Sequence, residues 1–524
     1  MQHLHQKIIS HYENQTYESY SFPNSKPSHI ATVASLMGLE VPCFKSGKIL
    51  EIGCASGGNI IPLAYRYPDA KFTAFDIVES QINIAKSKVE KLGLTNIEFL
   101  HLDLLEITKE QLGEFDYIIA HGVYSWIEKD NQEILLQKIK ELLSVNGLAY
   151  VSYNTYPGWH YRDVLRHAML FASRNSLDEK DKQDMGELMI KFLKKSVKDN
   201  TQHTALMKAT LDLIDENHLG SQHYYIGHEY LDICNNPVYF KDFAEKANYS
   251  GLGYVGEGEV HSMFHPISPD CFDDLDLIAQ YNRIAIEQSL DFLKNRTFRQ
   301  TILTHQERAF AIDGGLSTAA LEKLYFSADF KYALTDNNIK YYEYSDIQGN
   351  INTIIAKLPI TEHALEIIGS NYPTHISYED LVKKICANMQ ILELDEELKK
   401  NLHLFIIGLI HGNVADYSIS PLNIAHLSEK PKIDEYIRRD IINNNSVFSS
   451  TITHQKIKFG PLDRAIINLL DGEHTIEDIY NIIMPNIELF NFKLIEGENS
   501  VEQGLMNRIP MCLKRYEVNG LLSQ

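Results

Sequence analysis

Short apolar segments alternate with amphipathic segments between residues 47 and 153, and this alternation constrains the fold more than any other feature of the chain. Helical periodicity in residues 80–93 and 131–147 separates apolar segments, and a glycine closes each helical stretch. Strands that alternate with helices predict a parallel sheet covered by helices, which is a doubly wound α/β architecture. The five predicted strands are KILEIG (48–53), KFTAFD (71–76), IEFLHLD (97–103), FDYIIAHG (115–122) and LAYVSYN (148–154).

Changes in the pattern of residue types divide the chain into four predicted units. Residues 1–160 hold the strand series, and the charged helical periodicity of 161–222 predicts a helical insertion. A Tyr/His-rich stretch opens a mixed middle unit at 223–310. In the last unit, 311–524, a strand-like KYYEY, three helix-like stretches and a Gly/Asn turn follow one another, an order compatible with a winged-helix-like domain.

Composition excludes several classes of protein. No apolar run approaches the roughly 20 residues that span a bilayer, so no membrane insertion is expected. The N-terminus lacks the apolar core of a secretion signal, and a cytoplasmic location is therefore predicted. The six cysteines lie far apart without CxxC spacing, so we expect neither disulfides nor a metal site.

The chain is strongly acidic, with a net charge of -21. This charge repels polyphosphate, and we therefore expect no nucleic-acid partner. A cationic or lysine-bearing substrate is more compatible with this negative net charge than a nucleic acid is. The charge is equally compatible with a role in keeping the protein soluble.

The loop after the first strand, Glu51–Asn59, is built from small residues that let a backbone approach a ligand closely. Its GxAxGG pattern differs from the GxGxxG of dinucleotide-binding folds. It resembles the glycine-rich loop of class I methyltransferases, in which the amino-acid part of S-adenosylmethionine lies along the turn. Ala55 stands where that loop more often has glycine.

Acidic residues end the next two predicted strands, at the sheet edge where open α/β folds bind ligands. Asp76 can accept hydrogen bonds from both ribose hydroxyls. Asp103 and Leu104 lie where methyltransferases hold the adenine. Either aspartate alone is also interpretable as a helix N-cap or turn acid, and Glu51 as a buried acid that orders the loop.

The fourth predicted strand ends in the segment His121–Trp126, where the methyl acceptor is expected. Methyl transfer requires a nucleophile about 3 Å from the methyl carbon, so positioning supplies much of the catalysis. The segment lacks the Asn/Asp-Pro-Pro-aromatic motif and the Pro-Cys loop typical of amide, adenine and cytosine methylation. A neutral lysine amine suits the site better, because aromatic rings both desolvate an ammonium and bind methylated amines.

The candidates for this aromatic surface are Tyr17, Tyr20, Tyr124, Trp126, Tyr156 and Trp159. Any one of them is also interpretable as a core residue. His121 is a candidate proton acceptor or an ordinary loop histidine. The catalytic candidates are therefore His121, Tyr124, Trp126, Tyr156 and Trp159.

Several motifs together resemble bacterial methyltransferases that carry a methyltransferase regulatory domain, in particular the rickettsial protein lysine methyltransferases of outer membrane protein B. The motifs are TYESYSFPNSKPSHIATVASLMGL, LEIGCASGGNIIPLAYRYP, HGVYSWI, SYNTYPGW, HEYLDICNNPVYFKDFAEKA and DFLKNRTFRQT. The resemblance implies a Rossmann-like class I core, an inserted helical dimerisation region, a middle regulatory domain, a winged-helix-like C-terminal domain, a homodimer and a large protein acceptor. The HEYL and NNPVYF segments are also interpretable as a scaffold that only covers the cleft.

The same resemblance implies S-adenosylmethionine as cofactor and S-adenosylhomocysteine as product. The expected cofactor contacts are Tyr17, Glu51, Gly53, Cys54, Ala55, Gly57, Asn59, Asp76, Ile77, Gln81, Asp103, Leu104, His121, Gly122, Val123 and Tyr124. Three functions remain compatible with the sequence: methylation of protein lysines, methylation of a small metabolite, and a cofactor-binding adaptor. The long chain outside the core favours a macromolecular acceptor, because small substrates are usually enclosed by a short lid.

Overall fold

An eight-stranded sheet organises the first 305 residues of the protein. The structure is a computed structural model that describes residues 11–13, 18–197, 202–216, 226–264, 268–334, 340–345, 350–444, 446–490, 492–493 and 498–523. The first five strands are parallel neighbours or near neighbours in the sheet. They are β1 (Lys48–Ile52), β2 (Lys71–Asp76), β3 (Ile97–His101), β4 (Phe115–Ala120) and β5 (Leu143–Tyr156).

Helices cover both faces of this sheet, as the alternating pattern predicts. Successive strand residues pack into different hydrophobic clusters, so that Ile49 lies in one and Leu50 in the other. Both faces are buried, which explains why the strands are nearly continuous apolar runs. The helices of this part of the chain are Pro27–Leu36, Ile60–Arg66, Glu79–Leu92, Lys109–Leu112 and Lys129–Leu142.

The sheet continues beyond the five predicted strands. The order is β3-β2-β1-β4-β5-β8-β7, where β7 (Leu252–Glu257) and β8 (Phe298–His305) come from the predicted middle unit. Both run antiparallel to their neighbours, and the short β6 (Val238–Tyr239) pairs with the end of β5. The middle unit therefore completes the same sheet. Its helices are Phe240–Tyr249, Phe272–Ala279, Arg283–Lys294 and Gln306–Ala309.

One predicted helix is shorter in the structure. The stretch predicted as helical to residue 147 leaves the helix after Leu142, and Leu143 already pairs with Phe115 of β4. A side chain at Gly147 would come within 3.0 Å of the Phe115 carbonyl oxygen, so glycine here allows close strand packing and does not cap a helix. Strand pairing has overridden the helical periodicity of residues 143–147.

The inserted segment is helical, as predicted, in its described residues. Its helices are Gly158–Ala172, Glu179–Ser196 and Gln202–Glu216. They form a separate small core around Leu165, Met169 and Ile190. No helix in the described part of the chain is both long and apolar enough to cross a bilayer.

The C-terminal unit contains the predicted strand Lys340–Ser345, three predicted helices and the turn at 412–413, where Asn413 has a φ of 51°. The helices are Pro359–Asn371, Tyr378–Met389 and Glu396–His411, and the strands Tyr325–Ser327, Ile376–Ser377 and Asp416–Ser418 form a small sheet beside them. The winged-helix assignment stays a prediction.

The last hundred residues pack against the hydrophobic core on one face of the main sheet. Their apolar side chains belong to the same continuous hydrophobic cluster as Ile49 of β1. The C-terminal unit therefore shares a core with the predicted cofactor-binding unit.

The remaining α-helices and strands of the C-terminal unit are Thr318–Leu321, Lys331–Leu334, Ile351–Ile354, Lys432–Ile433, Glu435–Ile442, Phe448–Ser450, Lys456–Lys458, Pro461–Leu469, Ile476–Ile483, Val501–Val518 and Leu522–Ser523.

Candidate active site

The loop between β1 and the helix Ile60–Arg66 is a tight turn held by β2. The backbone N–H groups of Gly53 and Cys54 both donate to the Phe75 carbonyl oxygen, over 2.9 and 3.1 Å. Gly53 has a φ of 70°, and a side chain there would meet Val123 at 2.6 Å. Glycine is thus required both by the backbone conformation and by the close approach of the β4 loop.

Ala55 adopts the left-handed conformation with a φ of 46°, although it is not a glycine. Its N–H donates to Asp76 Oδ2 over 2.8 Å, and Asp76 Oδ1 accepts from the Val78 N–H over 3.0 Å. Burial raises the pKa of Asp76, while these backbone hydrogen bonds oppose the rise. Asp76 therefore orders the glycine-rich loop, and each of its oxygens retains acceptor capacity for a ligand.

Glu51 lies buried beneath the loop. Asn59 Nδ2 donates to Glu51 Oε1 over 2.7 Å, whereas Glu51 Oε2 has no hydrogen-bond partner among the described residues. Burial raises the pKa of this carboxyl to about 8. A buried acceptor without a partner is costly, and a ligand ammonium group would satisfy it. The amino-acid end of S-adenosylmethionine carries such a group, so the residues present fit this cofactor.

The strand ends converge on one cavity of about 450 Å³. Asp103 lies at its edge, and its Oδ1 accepts from the Leu105 N–H over 2.9 Å. The predicted site residues that line the cavity are Glu51, Gly53, Cys54, Ala55, Asn59, Asp76, Ile77, Gln81, Asp103, Leu104, His121, Gly122, Val123 and Trp126.

Other predicted site residues lie elsewhere. Tyr124 is fully buried in the core, where its ring packs edge-on against Phe243 at 5.0 Å. Gly57 faces the packing beneath the loop, because a side chain there would meet Ile61 and Phe99 at 2.7 Å. The Tyr124 side chain and the Cβ direction of Gly57 are thus turned toward the packing behind the site, and neither residue lines the cavity, contrary to the expectation for a cofactor contact.

The aromatic residues after β5 also lie outside the cavity. Trp159 is fully buried, 6.2 Å from the ring of Tyr230. Tyr156 stacks on His160 at 4.0 Å and donates to Asp163 over 3.3 Å, in a neighbouring groove. Tyr156 is the last residue of β5, whereas Trp159 lies in the first turn of the helix that starts at Gly158. Of the other two aromatic candidates, Tyr17 lies outside the described residues, and Tyr20 packs under the ammonium of Lys456.

His121 is held in one tautomer. Tyr150 donates its hydroxyl hydrogen to Gln300 Oε1 over 2.9 Å, so the same hydroxyl oxygen accepts from His121 Nδ1 over 3.0 Å. The ring stacks on Phe22 at 3.6 Å, and burial lowers the pKa of His121 to about 3. The imidazole is therefore neutral near pH 7 and is a weak base.

The cavity is also lined by acidic residues that sequence reasoning missed. They are Glu128, Glu229 and Asp232, and the side chain of Trp126 lines the same cavity. We call this region the acidic lobe, defined by these four residues. The only sequence signal was the Tyr/His-rich stretch, but its acids at 229 and 232 had no periodicity that would direct them toward the cofactor loop.

The acids of the lobe are only partly neutralised. Tyr12 donates to Asp232 over 2.8 Å, and Arg162 lies 3.4 Å from Glu229. Glu128 Oε1 is buried and has no hydrogen-bond partner in the part of the chain that the structure describes. Burial raises the pKa of Glu229 and of Asp232. The lobe is thus suited to a cation that carries hydrogen-bond donors.

Known proteins share this architecture. Residues 49–147 match the family model described as a methyltransferase domain, and residues 222–305 match that of a predicted methyltransferase regulatory domain. Uncharacterized protein RP028 of Rickettsia prowazekii is 35% identical over 236 residues, which cover 45% of this chain and 93% of that protein. Uncharacterized protein RP789 of the same organism is 27% identical over 98% of this chain and 93% of its own length.

A solved structure of similar fold is PKMT2 from Rickettsia typhi in complex with AdoHcy. It is 25% identical, with a TM-score of 0.83, and the match covers 97% of this chain and 99% of that one. The fold, the cofactor cavity and these matches agree with one another. The chain therefore belongs to the S-adenosylmethionine-dependent class I methyltransferases that carry a methyltransferase regulatory domain, together with these rickettsial proteins.

Proposed function

We propose that this methyltransferase acts on the side-chain amine of lysines in a protein substrate, with outer membrane protein B as the first candidate. The observation that carries the proposal is the acidic lobe, which lines the same cavity as the predicted cofactor residues and is suited to an ammonium group. The similarity to PKMT2, a protein lysine methyltransferase, supports the same acceptor class.

Residues of the strand ends would hold the cofactor. Asp76 would accept from the ribose hydroxyls, Glu51 from the amino group, and Asp103 from the adenine. When bound, the cofactor supplies an electrophilic methyl group. The protein contributes by placing an acceptor in line with it, so that no covalent intermediate on the chain is needed.

The acceptor must lose a proton before it can react. A lysine has an unperturbed pKa near 10.4, so only about one in 10³ is neutral at pH 7. Trp126 would desolvate the amine and lower its pKa, while the acids of the lobe bind the ammonium that arrives. Since burial raises the pKa of Glu229, this carboxylate is a better proton acceptor than an exposed one. The weakly basic His121 is not assigned this role.

A groove next to the cavity suits a large acceptor. It shares Glu128 with the acidic lobe and is also lined by Asp130, Tyr156 and Asp163. An extended polypeptide lying in this groove would place a lysine side chain beside Glu128. A small metabolite would leave the groove empty.

The test uses labelled cofactor, the full chain and fragments of outer membrane protein B, with modified residues mapped by mass spectrometry. Glu229→Gln is expected to lower kcat/KM for the protein acceptor by about 10- to 100-fold, the value of a hydrogen bond to a charged group, without loss of AdoHcy binding. Glu245→Gln is the matched control, because the Glu245 side chain is more than half exposed, lies 3.8 Å from Lys241 and does not line the cavity.

Label on lysines together with a selective loss in Glu229→Gln supports the proposal. Label that appears only in a small molecule would instead identify a metabolite methyltransferase. AdoHcy binding without any transfer would identify a cofactor-binding adaptor. An unaffected Glu229→Gln variant would remove the acidic lobe from the mechanism.

We also infer a homodimer formed through the helical insertion. Phe171, Leu188 and Phe192 of its helices are each more than half exposed, at 61, 56 and 59%. Large apolar side chains clustered on a small helical unit are typical of an interface. Sedimentation of the full chain and of Phe171→Glu/Phe192→Glu tests this inference, since a dimer disrupted by the two charges supports it and an unchanged mass contradicts it.

A further inference from the structure

A hairpin near the C-terminus reaches Asn59, which lies at the end of the cofactor loop just before the helix Ile60–Arg66. Its strands are Phe448–Ser450 and Lys456–Lys458, and its tip places His454 in the left-handed conformation with a φ of 66°. The side chain of His454 is completely buried. A non-glycine residue in this conformation is uncommon and indicates that the surrounding contacts hold it there.

The imidazole of His454 contacts the side chain that supports Glu51. His454 Nε2 lies 2.8 Å from Asn59 Oδ1. Because Asn59 Nδ2 already donates to Glu51, the amide oxygen faces the histidine, and Nε2 must be the donor. The other ring nitrogen, Nδ1, lies 3.2 Å from Ser450 Oγ and accepts from it. Both ring nitrogens are thus paired and the tautomer is fixed.

Asn59 connects three separate parts of the chain. Its Oδ1 accepts from the backbone N–H of Phe22 over 3.0 Å and from Ser25 Oγ over 3.1 Å, in addition to His454. Phe22 in turn stacks on His121 and lines the cofactor cavity. The amide therefore holds the N-terminal arm, the carboxyl of Glu51 and the C-terminal hairpin in one arrangement.

Two cations anchor the hairpin backbone at the same place. Arg66 donates to the carbonyl oxygens of Ser450 and Thr451, and Lys26 donates to that of Ile452 over 3.3 Å. Burial, followed by the charges of Arg66 and Lys26, lowers the pKa of His454 well below its usual value. The imidazole consequently stays neutral and keeps the tautomer that Asn59 requires.

We propose that His454 is a positioning residue of the cofactor site, and that the C-terminal hairpin completes this site from behind. Its hydrogen bond is the shortest of the three that hold the Asn59 amide oxygen, and Asn59 in turn keeps Glu51 directed at the amino group of the cofactor. The proposal rests on the cofactor assignment alone and is independent of the identity of the acceptor.

The test compares two substitutions in the full-length protein. Leucine and glutamine are similar in size and carry a similar backbone penalty at this φ, but only glutamine offers an N–H donor to Asn59. We expect His454→Leu to weaken AdoHcy binding about 5- to 10-fold by calorimetry, the value of one buried hydrogen bond, and His454→Gln to stay within about 3-fold of the native protein. The KM for S-adenosylmethionine should rise while kcat changes less.

Thr453→Ala is the control, because Thr453 lies in the same hairpin and contacts Thr451 rather than Asn59. If His454→Leu does not fold, His454→Asn replaces it, since asparagine tolerates the left-handed conformation and is too short to reach Asn59. Native-like AdoHcy affinity in the leucine or asparagine variant would overturn the proposal. Equal losses in the leucine and glutamine variants would also overturn it, because they would indicate a packing role only.

Discussion

Asp76 illustrates how one side chain orders a loop and still faces a cavity. It accepts backbone hydrogen bonds from Ala55 and Val78, and it also lines the cavity. A turn acid and the proposed ribose acceptor are therefore compatible roles at this position. Sequence reasoning kept the two roles apart, although the loop that Asp76 orders also lines the cavity.

Asp76→Asn is expected to weaken cofactor binding by about 10- to 100-fold, since a hydrogen bond to a charged group contributes about 1.5–3 kcal/mol. The amide keeps one acceptor for the loop but lacks the charge and the second acceptor for the ribose. Calorimetry with AdoHcy measures the loss. Asp69→Asn, at an exposed position after the helix Ile60–Arg66, should bind normally. Equal affinities of the two variants would contradict the assignment.

The buried His121 predicts how stability depends on pH. Its folded-state pKa of about 3 lies below the ordinary value of 6.5, so the unfolded chain binds more protons in the interval between them. The contribution of His121 to stability is therefore complete above pH 6.5 and is lost as the pH falls toward 3. Urea unfolding of His121→Gln between pH 4 and 7 should show a weaker pH dependence than the native protein, whereas an unchanged slope would contradict this.

At the level of elements, the strands from the middle unit complete the cofactor sheet. Arg299 of β8 makes a bidentate pair with Asp291 over 2.8 and 2.9 Å and also donates to Glu257 of β7 over 2.8 Å. Glu287 lies 3.3 Å from the same guanidinium. This buried network joins β7, β8 and the helix Arg283–Lys294.

Arg299→Met should cost about 3–5 kcal/mol of unfolding free energy, because it leaves three buried carboxylates without their shared cation. Denaturant titration measures the change. Lys241→Met, which removes an exposed cation 3.8 Å from Glu245, should change stability by less than about 1 kcal/mol. A small effect in Arg299→Met would mean that the carboxylates are protonated in the native state.

Local sequence patterns were sufficient to predict the strands β1 to β5 of the sheet and insufficient to predict β7 and β8. Alternating apolar segments predicted β1 to β5, because most of these strands are buried on both faces and each carries its own signal. β8 is joined to β5 by pairing between residues more than a hundred positions apart, as in Ala149 and Leu303, and β7 pairs in turn with β8. Such pairing is a tertiary property, and it also explains why Leu143–Gly147 is a strand despite its helical periodicity.

The same distinction applies to the site. Residues that lie in the loop after a strand, such as Gly53 and Asp103, could be predicted because chain direction brings strand ends together. Glu229 and Asp232 of the acidic lobe could not, because the segment that follows the helical insertion carries them in from outside the sheet. The aromatic residues Tyr124 and Trp159 were misplaced because a ring gives no sequence signal for the direction in which it points.

At the level of the whole molecule, the predicted cofactor-binding, middle and C-terminal units share one core, whereas the helical insertion has its own. The hydrophobic cluster on one face of the sheet continues without interruption from Ile49 to Leu513. A fragment ending at residue 160 keeps β1 to β5 but loses β8, the hydrogen-bonded partner of β5.

We therefore expect the fragment of residues 1–160 to be unfolded or aggregated and unable to bind AdoHcy, although it contains the whole glycine-rich loop. An unpaired, fully apolar strand edge is unstable in water and prone to association. Near-ultraviolet circular dichroism and calorimetry, with the full chain as control, test this. A folded fragment that binds AdoHcy would show that the later strands are dispensable.

The contact between His454 and Asn59 joins residues separated by 395 positions. During synthesis on the ribosome, the loop of Asn59 emerges long before the histidine that steadies it. For most of translation the nascent polypeptide would therefore bind the cofactor more weakly than the complete protein does. Prematurely terminated products would then bind the methyl donor less well than the complete protein. The fraction of molecules that hold the cofactor would thus differ between complete and incomplete chains.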